Sequence, residues 1–356
     1  MPNSDDTPPQ QRLLVVRMSA IGDVAMTVPA LWDIAYNHSN MQVVLLSQAF
    51  ARDMVADLPR VQLFVADLKG RHRGLRGLLR LFRELRAAGP FSALVDLHDV
   101  IRSKLLRIGF TLCGVRCVKI DKGRSEKRKL ISLKQKRLQP LVSTFERYAQ
   151  TFAQLGIAIG SSFNGLYHRA QLPPHVLQHT GSKQQIWVGV APFAKHQGKI
   201  YPLHLMEKLV QKLANDGAYR IFLLGGGSHE QATLEQWASR YPHVVSLARK
   251  LQLRDELLVI SNLDALISMD SANMHLASLV GTSVVSIWGA THPYAGFYGW
   301  HQLPDNAVQI DLPCRPCSVY GNRPCFRNDY ACLNLISPDM VLERLEQALS
   351  RVAIGS

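Results

Sequence analysis

The chain has 356 residues, 47% hydrophobic and 19% charged, which suits a globular protein of about two domains. No apolar run approaches the ~20 residues of a membrane-spanning helix, and Met1–Gln11 is polar, unlike a secretory leader, so a cytoplasmic protein with a disordered lead-in over residues 1–11 is expected. The net charge of +14 is concentrated: Lys69–Arg137 carries 20 Lys/Arg against 5 Asp/Glu, leaving the remainder near neutral. Such a patch suits a phosphate-rich partner (nucleic acid, an anionic membrane face or a phosphorylated glycolipid), although a solvated helix face would carry the same residues.

In chain order, Arg12–Arg17 reads as a strand that exits through Met18-Ser19-Ala20-Ile21-Gly22-Asp23 into a helix. Gly22 permits a tight turn or close ligand approach. Asp23, at the helix start, is either a capping carboxylate or a general base for an acceptor hydroxyl. Strands at Gln42–Leu46 and Leu63–Ala66 follow, then Ala93–Leu97, which runs into Asp96-Leu97-His98-Asp99 and Arg102-Ser103-Lys104. Asp96 and His98 fall on one face of an extended segment and could orient a hydroxylated or phosphorylated acceptor; for His98 a structural hydrogen bond is the alternative. After a strand at Val115–Ile120, Lys119–Arg137 holds nine Lys/Arg against Asp121 and Glu126, with Arg124, Lys127 and Arg128 as candidate acceptor ligands. The segment is poor in aromatics, so it lacks the stacking platforms of a single-strand nucleic-acid binder.

Gln171–Gln185 reads as a linker between a domain over residues 12–170 and another over 186–335, followed by a C-terminal helix over 336–356 that could cross back to the first domain. The second series of strands is Ile186–Val190, Arg220–Leu224, Ala265–Ser268, Val284–Trp288 and Val308–Ile310, with helical periodicity at Leu203–Asp216 and Glu230–Arg240. Apolar runs alternating with helices predict parallel sheets covered on both faces. The fold class is therefore α/β, two doubly wound Rossmann-like domains, with ligands expected beyond the strands' carboxyl ends in a cleft between them. After Ile186–Val190 comes a polar loop in which Lys199, or in competition Lys195, could pair with a diphosphate. After Arg220–Leu224 comes Gly225-Gly226-Gly227, then Glu230, which could accept from ribose hydroxyls or serve as a helix-start carboxylate. After Ala265–Ser268, Asp270-Ser271-Ala272 opens a helix whose N-terminus suits a diphosphate. Asp270 would bind a sugar hydroxyl or cap the helix, and His275 lies one turn in. Four cysteines, Cys314, Cys317, Cys325 and Cys332, could hold a structural zinc ion or lie as buried thiols.

Taken in this order, Ser19–Asp23, Asp96 with Arg102-Ser103, Lys199 before Tyr201-Pro202, Gly227–Glu230, and Asp270–Ala272 with His275 resemble glycosyltransferase family 9, the lipopolysaccharide heptosyltransferases, over about Leu13 to Leu349. The resemblance implies a GT-B fold and an inverting, metal-independent transfer of heptose from ADP-heptose to a phosphorylated lipopolysaccharide core at the inner face of the inner membrane. By it, Asp23 is the base. Lys199, the Ser271–Ala272 backbone and His275 stabilise the leaving diphosphate, Glu230 holds the ribose, and Arg102 with the basic segment grips acceptor phosphates. Two features depart from the family pattern: Pro192-Phe193-Ala194 stands where a Thr/Ser-rich loop is usual, and the basic insertion is long. The competing readings are a sugar-nucleotide epimerase, which would need no basic patch, and a non-enzymatic binder of anionic lipid or nucleic acid, which would leave Asp23, Lys199 and Asp270–His275 without a role.

Overall fold

The structure, a computed structural model, describes residues 11–355. The expected lead-in lies outside these, apart from Gln11, which opens the first strand. The chain divides into two compact units, one comprising Met1–Lys122 with Thr144–Phe163, the other Gly123–Ser143 with Asn164–Ser356. The second half of the basic stretch, read from sequence as part of the first domain, therefore packs with the second.

The first unit is a five-stranded parallel sheet: β1 (Gln11–Val16), β2 (Met41–Ser47), β3 (Val61–Val65), β4 (Ala93–Asp96) and β5 (Arg116–Lys119), in the order β3-β2-β1-β4-β5. Leu13–Val16 and Ala93–Asp96 are buried without alternation, as strands covered on both faces must be. The helix Gly74–Ala88 shows how the sequence builds a cover. Leu78, Leu81 and Leu85 share one face and join the core, while Arg76, Arg80, Arg83 and Arg86 stay exposed. This part of the positive charge is thus a solvated helix face.

The second unit is a six-stranded sheet: β6 (Ile186–Ala191), β7 (Tyr219–Leu223), β8 (Val244–Ser246), β9 (Ala265–Met269), β10 (Val284–Ile287) and β11 (Ala307–Val308), in the order β11-β10-β9-β6-β7-β8. Ten of the 11 strands among the described residues were legible in sequence; β8, three residues long on the sheet edge, was not. Two further expectations are corrected. The stretch read as a linker contains the helix Pro174–Thr180, whose Val176 and Thr180 are buried. The C-terminal helix Pro338–Gly355, for which a crossing back to the first domain was left open, places Val341, Leu345 and Ala348 in the second unit's own core beside Val285 and Ile287. Those three positions recur at helical spacing, which makes them one apolar stripe.

The strand orders locate the switch points. The chain winds one way from β1 and the other way from β4, and likewise from β6 and β9, so ligands of such sheets bind beyond these strands' carboxyl ends.

Candidate functional site

In the first unit, the loops after β1 and β4 flank that switch point, and each is held by charge. Asp23 lies in the short helix Ile21–Ala25; its Oδ2 accepts from the Ala20 amide at 3.1 Å and pairs with an Arg17 guanidinium nitrogen at 2.5 Å. Arg17 is nearly buried, its side chain 9% exposed against 32% for Asp23, and it also donates to the Leu97 carbonyl at 2.8 Å. The pair thus presents a carboxylate rather than a guanidinium. Beneath it, the buried Tyr148 hydroxyl donates to the Asp23 carbonyl at 3.4 Å; burial pushes this phenol up, keeping its proton available for donation.

Asp96, at the end of β4, is fully buried. Its Oδ1 accepts from the His98 and Asp99 amides at 3.0 and 2.8 Å, and its Oδ2 accepts from Arg107 at 2.8 Å. It shapes the loop rather than offering itself to a ligand. Asp99 closes the turn at φ 41° and receives Arg107 at 3.6 Å. His98 lies 3.4 Å from the Ser19 hydroxyl, linking the two loops. Its imidazole is pulled down to about 3, first by burial and then by the charges of Arg17 and Lys122, so it is neutral near pH 7. Arg102 lies half-buried in the first turn of helix Ile101–Leu112, where Ser103 both accepts from and donates to the Val100 backbone.

In the second unit the loops after β6 and β9 meet in the same way. Lys199 Nζ lies 2.8 Å from Asp270 Oδ2; the aspartate is 4% exposed and the lysine 15%, so this pair presents a cation. Lys195 is exposed, and no ion pair joins it to Asp270, which separates the two competing lysines. The Lys199 loop is fastened from three sides: the Gly198 carbonyl accepts from the Ala290 amide at 2.8 Å, the Tyr201 amide contacts Met269 Sδ at 3.3 Å, and the Tyr201 hydroxyl donates to the Ile336 carbonyl at 2.7 Å. Ser271 precedes helix Ala272–Leu279 in extended conformation, its hydroxyl 3.3 Å from that of Ser268 rather than on the helix amides; Ser271 and Ala272 stay half-exposed, while His275 is buried. Glu230 follows Gly227 at the start of helix Ser228–Arg240, and its Oε2 accepts from the Gly226 and Gly227 amides at 2.7 and 3.0 Å. It therefore orders the glycine loop. Beside these loops opens a recess of about 420 Å³ lined by Phe193, Gln197, Tyr201, His229, Tyr330 and Asn334 among others.

Arg124, Lys127 and Arg128 lie in helix Arg124–Leu130 of the second unit and part company there. Arg124 and Arg128 are exposed, while Lys127 is buried with its ammonium 4.2 Å from the Phe297 ring centre. The four cysteines line one enclosed space of about 10 Å³. Burial raises the Cys317 thiol, and pushes that of Cys332 up to about 11, with the neighbouring cysteines adding to both. Among the described residues no three of Cys, His, Asp or Glu stand together as a metal-holding group. Sequence reasoning had missed Arg17 and Arg107, the partners that orient the two first-unit aspartates, and the loop Ser318–Arg323. Arg17 had read as one more strand residue, and an irregular loop carries no periodic signal.

Comparison with known proteins adds a family. The model for glycosyltransferase family 9 (heptosyltransferase) matches residues 78–324. Lipopolysaccharide heptosyltransferase 1 of Pseudomonas aeruginosa is 24% identical over 364 residues, covering 95% of this chain and 98% of that one. Its namesake in Escherichia coli K12 is 24% identical over 310 residues, covering 85% and 95%. Among solved structures, a family 9 glycosyl transferase from Veillonella parvula superposes with a TM-score of 0.75 at 18% identity, covering 98% of this chain and 100% of that one. The E. coli heptosyltransferase WaaC with ADP gives 0.69 at 20% identity, covering 95% and 100%. At these identities the structures establish the fold, which is GT-B.

Proposed function

Because the chain belongs to glycosyltransferase family 9, the heptosyltransferases, we propose that it transfers heptose from ADP-heptose to a phosphorylated lipopolysaccharide core, with inversion. The observation that carries this reading is the pair of oppositely signed switch-point contacts: the first unit presents the carboxylate of Asp23, the second the ammonium of Lys199. A proton acceptor and a diphosphate-stabilising cation are what the displacement requires. The acceptor hydroxyl oxygen bonds to the anomeric carbon, its proton passes to the Asp23 carboxylate, and the bond from that carbon to the diphosphate oxygen breaks. Lys199 and the Ser271–Ala272 amides at the start of helix Ala272–Leu279 take up the charge developing on the diphosphate.

The remaining roles follow from burial. Asp270 orients Lys199, Glu230 holds the glycine loop against the ribose, and the recess lined by Phe193 and Tyr330 receives the nucleoside. Asp96, with Arg107, positions the loop that carries His98 and Arg102 toward the acceptor. No described helix is long and apolar enough to cross a membrane, and the exposed arginines of the basic stretch would hold the protein against the anionic inner face of the inner membrane, where such an acceptor resides.

Calorimetric binding of ADP, UDP, GDP and NAD to the purified protein tests the donor. Selective ADP binding is expected, and with ADP-heptose supplied as donor, ADP should be released only when a core acceptor is added. Preference for UDP or GDP would discard heptose, and ADP binding without transfer to any core acceptor would discard the enzyme.

A further inference from the structure

Helix Ile101–Leu112 of the first unit is apolar on two opposite sides. Its Leu106 and Phe110 are buried in the core under the sheet. Ile101, Leu105, Ile108 and Leu112, at about 100° per residue, fall within an arc of about 60° on the other side. These four are 79%, 41%, 55% and 83% exposed. A lone exposed leucine is ordinary on a folded chain, but four aligned in one stripe mark a surface that something covers.

The neighbouring helix Gly74–Ala88 widens the stripe. A Cβ added at Gly109 would come within 2.8 Å of the Phe82 ring, so the two helices pack side by side there. Leu75 and Leu79 continue the Phe82 face at helical spacing and are also exposed. Arg76, Arg80 and Arg83, each one residue further on, border that face and are exposed. The two helices hold a single carboxylate, Glu84, which is taken by His72 at 3.1 Å and by Arg71.

Charge and apolarity together select the occupant. A second copy of this chain would bring the same arginines to the same face and be repelled. A nucleic acid would meet the arginines and leave the leucines in water. A bilayer with anionic headgroups satisfies both, since its surface is negative and its interior begins just beneath.

We infer that helices Ile101–Leu112 and Gly74–Ala88 form a membrane-docking face: Ile101, Leu105, Ile108 and Leu112 enter the interfacial layer of an anionic bilayer, and Arg76, Arg80 and Arg83 meet the lipid phosphates. The stripe opens at Ile101, directly after the switch-point loop in which His98 approaches Ser19. Seating the stripe in the bilayer surface holds that loop at headgroup level, where the saccharide of a membrane glycolipid is presented. The docking differs in kind from attachment by charge alone, which salt screens, because inserted apolar side chains keep their hold when salt is added. Its use for an acceptor rests on the transfer reaction proposed above, whereas the docking itself does not.

The test is co-sedimentation of the full-length protein with mixed phosphatidylglycerol and phosphatidylcholine vesicles, without donor or acceptor. Wild type is compared with the Leu105→Gln/Ile108→Gln variant, whose two side chains are exposed, so its thermal midpoint should match. At about 1 M salt, where the screening length falls to about 3 Å, the wild type should stay bound. The variant should partition at least about tenfold more weakly, having lost two buried apolar side chains. Turnover of a water-soluble acceptor should be equal in the two proteins, while the apparent KM for an acceptor embedded in vesicles rises by a similar factor. An Ile108→Trp variant should gain quenching by lipids brominated along their acyl chains, relative to wild type. Wild-type protein that leaves the vesicles in high salt, or a double variant that binds as well as wild type, overturns the face. A wild-type dimer that the variant cannot form assigns the stripe to a second copy and overturns it too. Should the double variant unfold, the Ile108→Trp variant decides, and an unquenched tryptophan there overturns the insertion. Intact, salt-resistant docking without transfer to any acceptor would remove the proposed reaction and leave the docking face standing.

Discussion

Arg17 with Asp23 in the first unit and Lys199 with Asp270 in the second are the same construction with the signs exchanged. Each joins a loop at the carboxyl end of a switch-point strand to a partner held at lower exposure, 9% beneath 32% and 4% beneath 15%. In both, the buried member is fixed by the fold and the more exposed member is offered outward. Two sheets wound alike thus acquire opposite chemistry from which sign is buried, one offering a place for a proton and the other a place for negative charge.

The sharpest way to break the comparison is to remove the offered group from each side. Asp23→Ala should lower kcat by about 10²–10⁴-fold, the usual span of general acid–base catalysis, with the ADP Kd unchanged because the donor is handled by the second unit. Full activity in that variant would sink the base assignment. Lys199→Ala should cost about 10²–10³-fold in kcat, as loss of one charge-stabilising donor does, and should weaken ADP as well. If ADP binding were untouched, the lysine would not be meeting the diphosphate.

How much of this could be read from sequence differs between the offered groups and their supports. Asp23, Lys199 and Asp270 follow strands whose apolar runs are unmistakable, so strand ends and candidate residues come together. Arg17 and Arg107 are ordinary basic residues by type, and only the fold reveals that one lies under Asp23 and the other covers the buried Asp96. The basic stretch was visible as charge, but charge alone does not distinguish the solvated arginines of helix Gly74–Ala88 from Lys127 over Phe297 or Lys136 bonded to two carbonyls. Burial makes that distinction, and it is set by residues 160 or more positions further along the chain. The four cysteines are the reverse case: their closeness in sequence left zinc and buried thiols both open, and among the described residues no metal-holding group forms.

The supports are expected to show in stability before they show in turnover. Asp96→Ala leaves two loop amides and the Arg107 guanidinium without their common acceptor, at a site with no exposure. Breaking a buried ion pair by removing one member costs about 3 kcal/mol, which should appear as a lower denaturant midpoint with amide protection lost in the first unit only. An equal loss of protection in the second unit would show that the two do not unfold independently.

The smallest expected effect separates the units by pH. His98 in the first unit has its imidazole lowered from 6.5 to about 3 by burial and by Arg17, Lys122 and Arg102, with Asp23 opposing. Its unfolded form takes up a proton first, so stability is lost as pH falls from about 6.5 toward 3. In the second unit His292, lowered to about 4 chiefly by burial and Arg315, acts in the same direction. Glu256 opposes it: burial raises this carboxyl from 4.5 to about 7, so the folded form holds its proton more tightly and gains stability as pH falls across that window. The two second-unit groups offset each other between about pH 6.5 and 4.5, while His98 has no such counterweight. Hydrogen exchange at pH 7 and pH 5 should therefore show protection falling more in the first unit than in the second, and His98→Gln should flatten that difference. Equal losses in both units, or a variant as acid-sensitive as the wild type, would mean that the imidazole is not what tilts the first unit's stability.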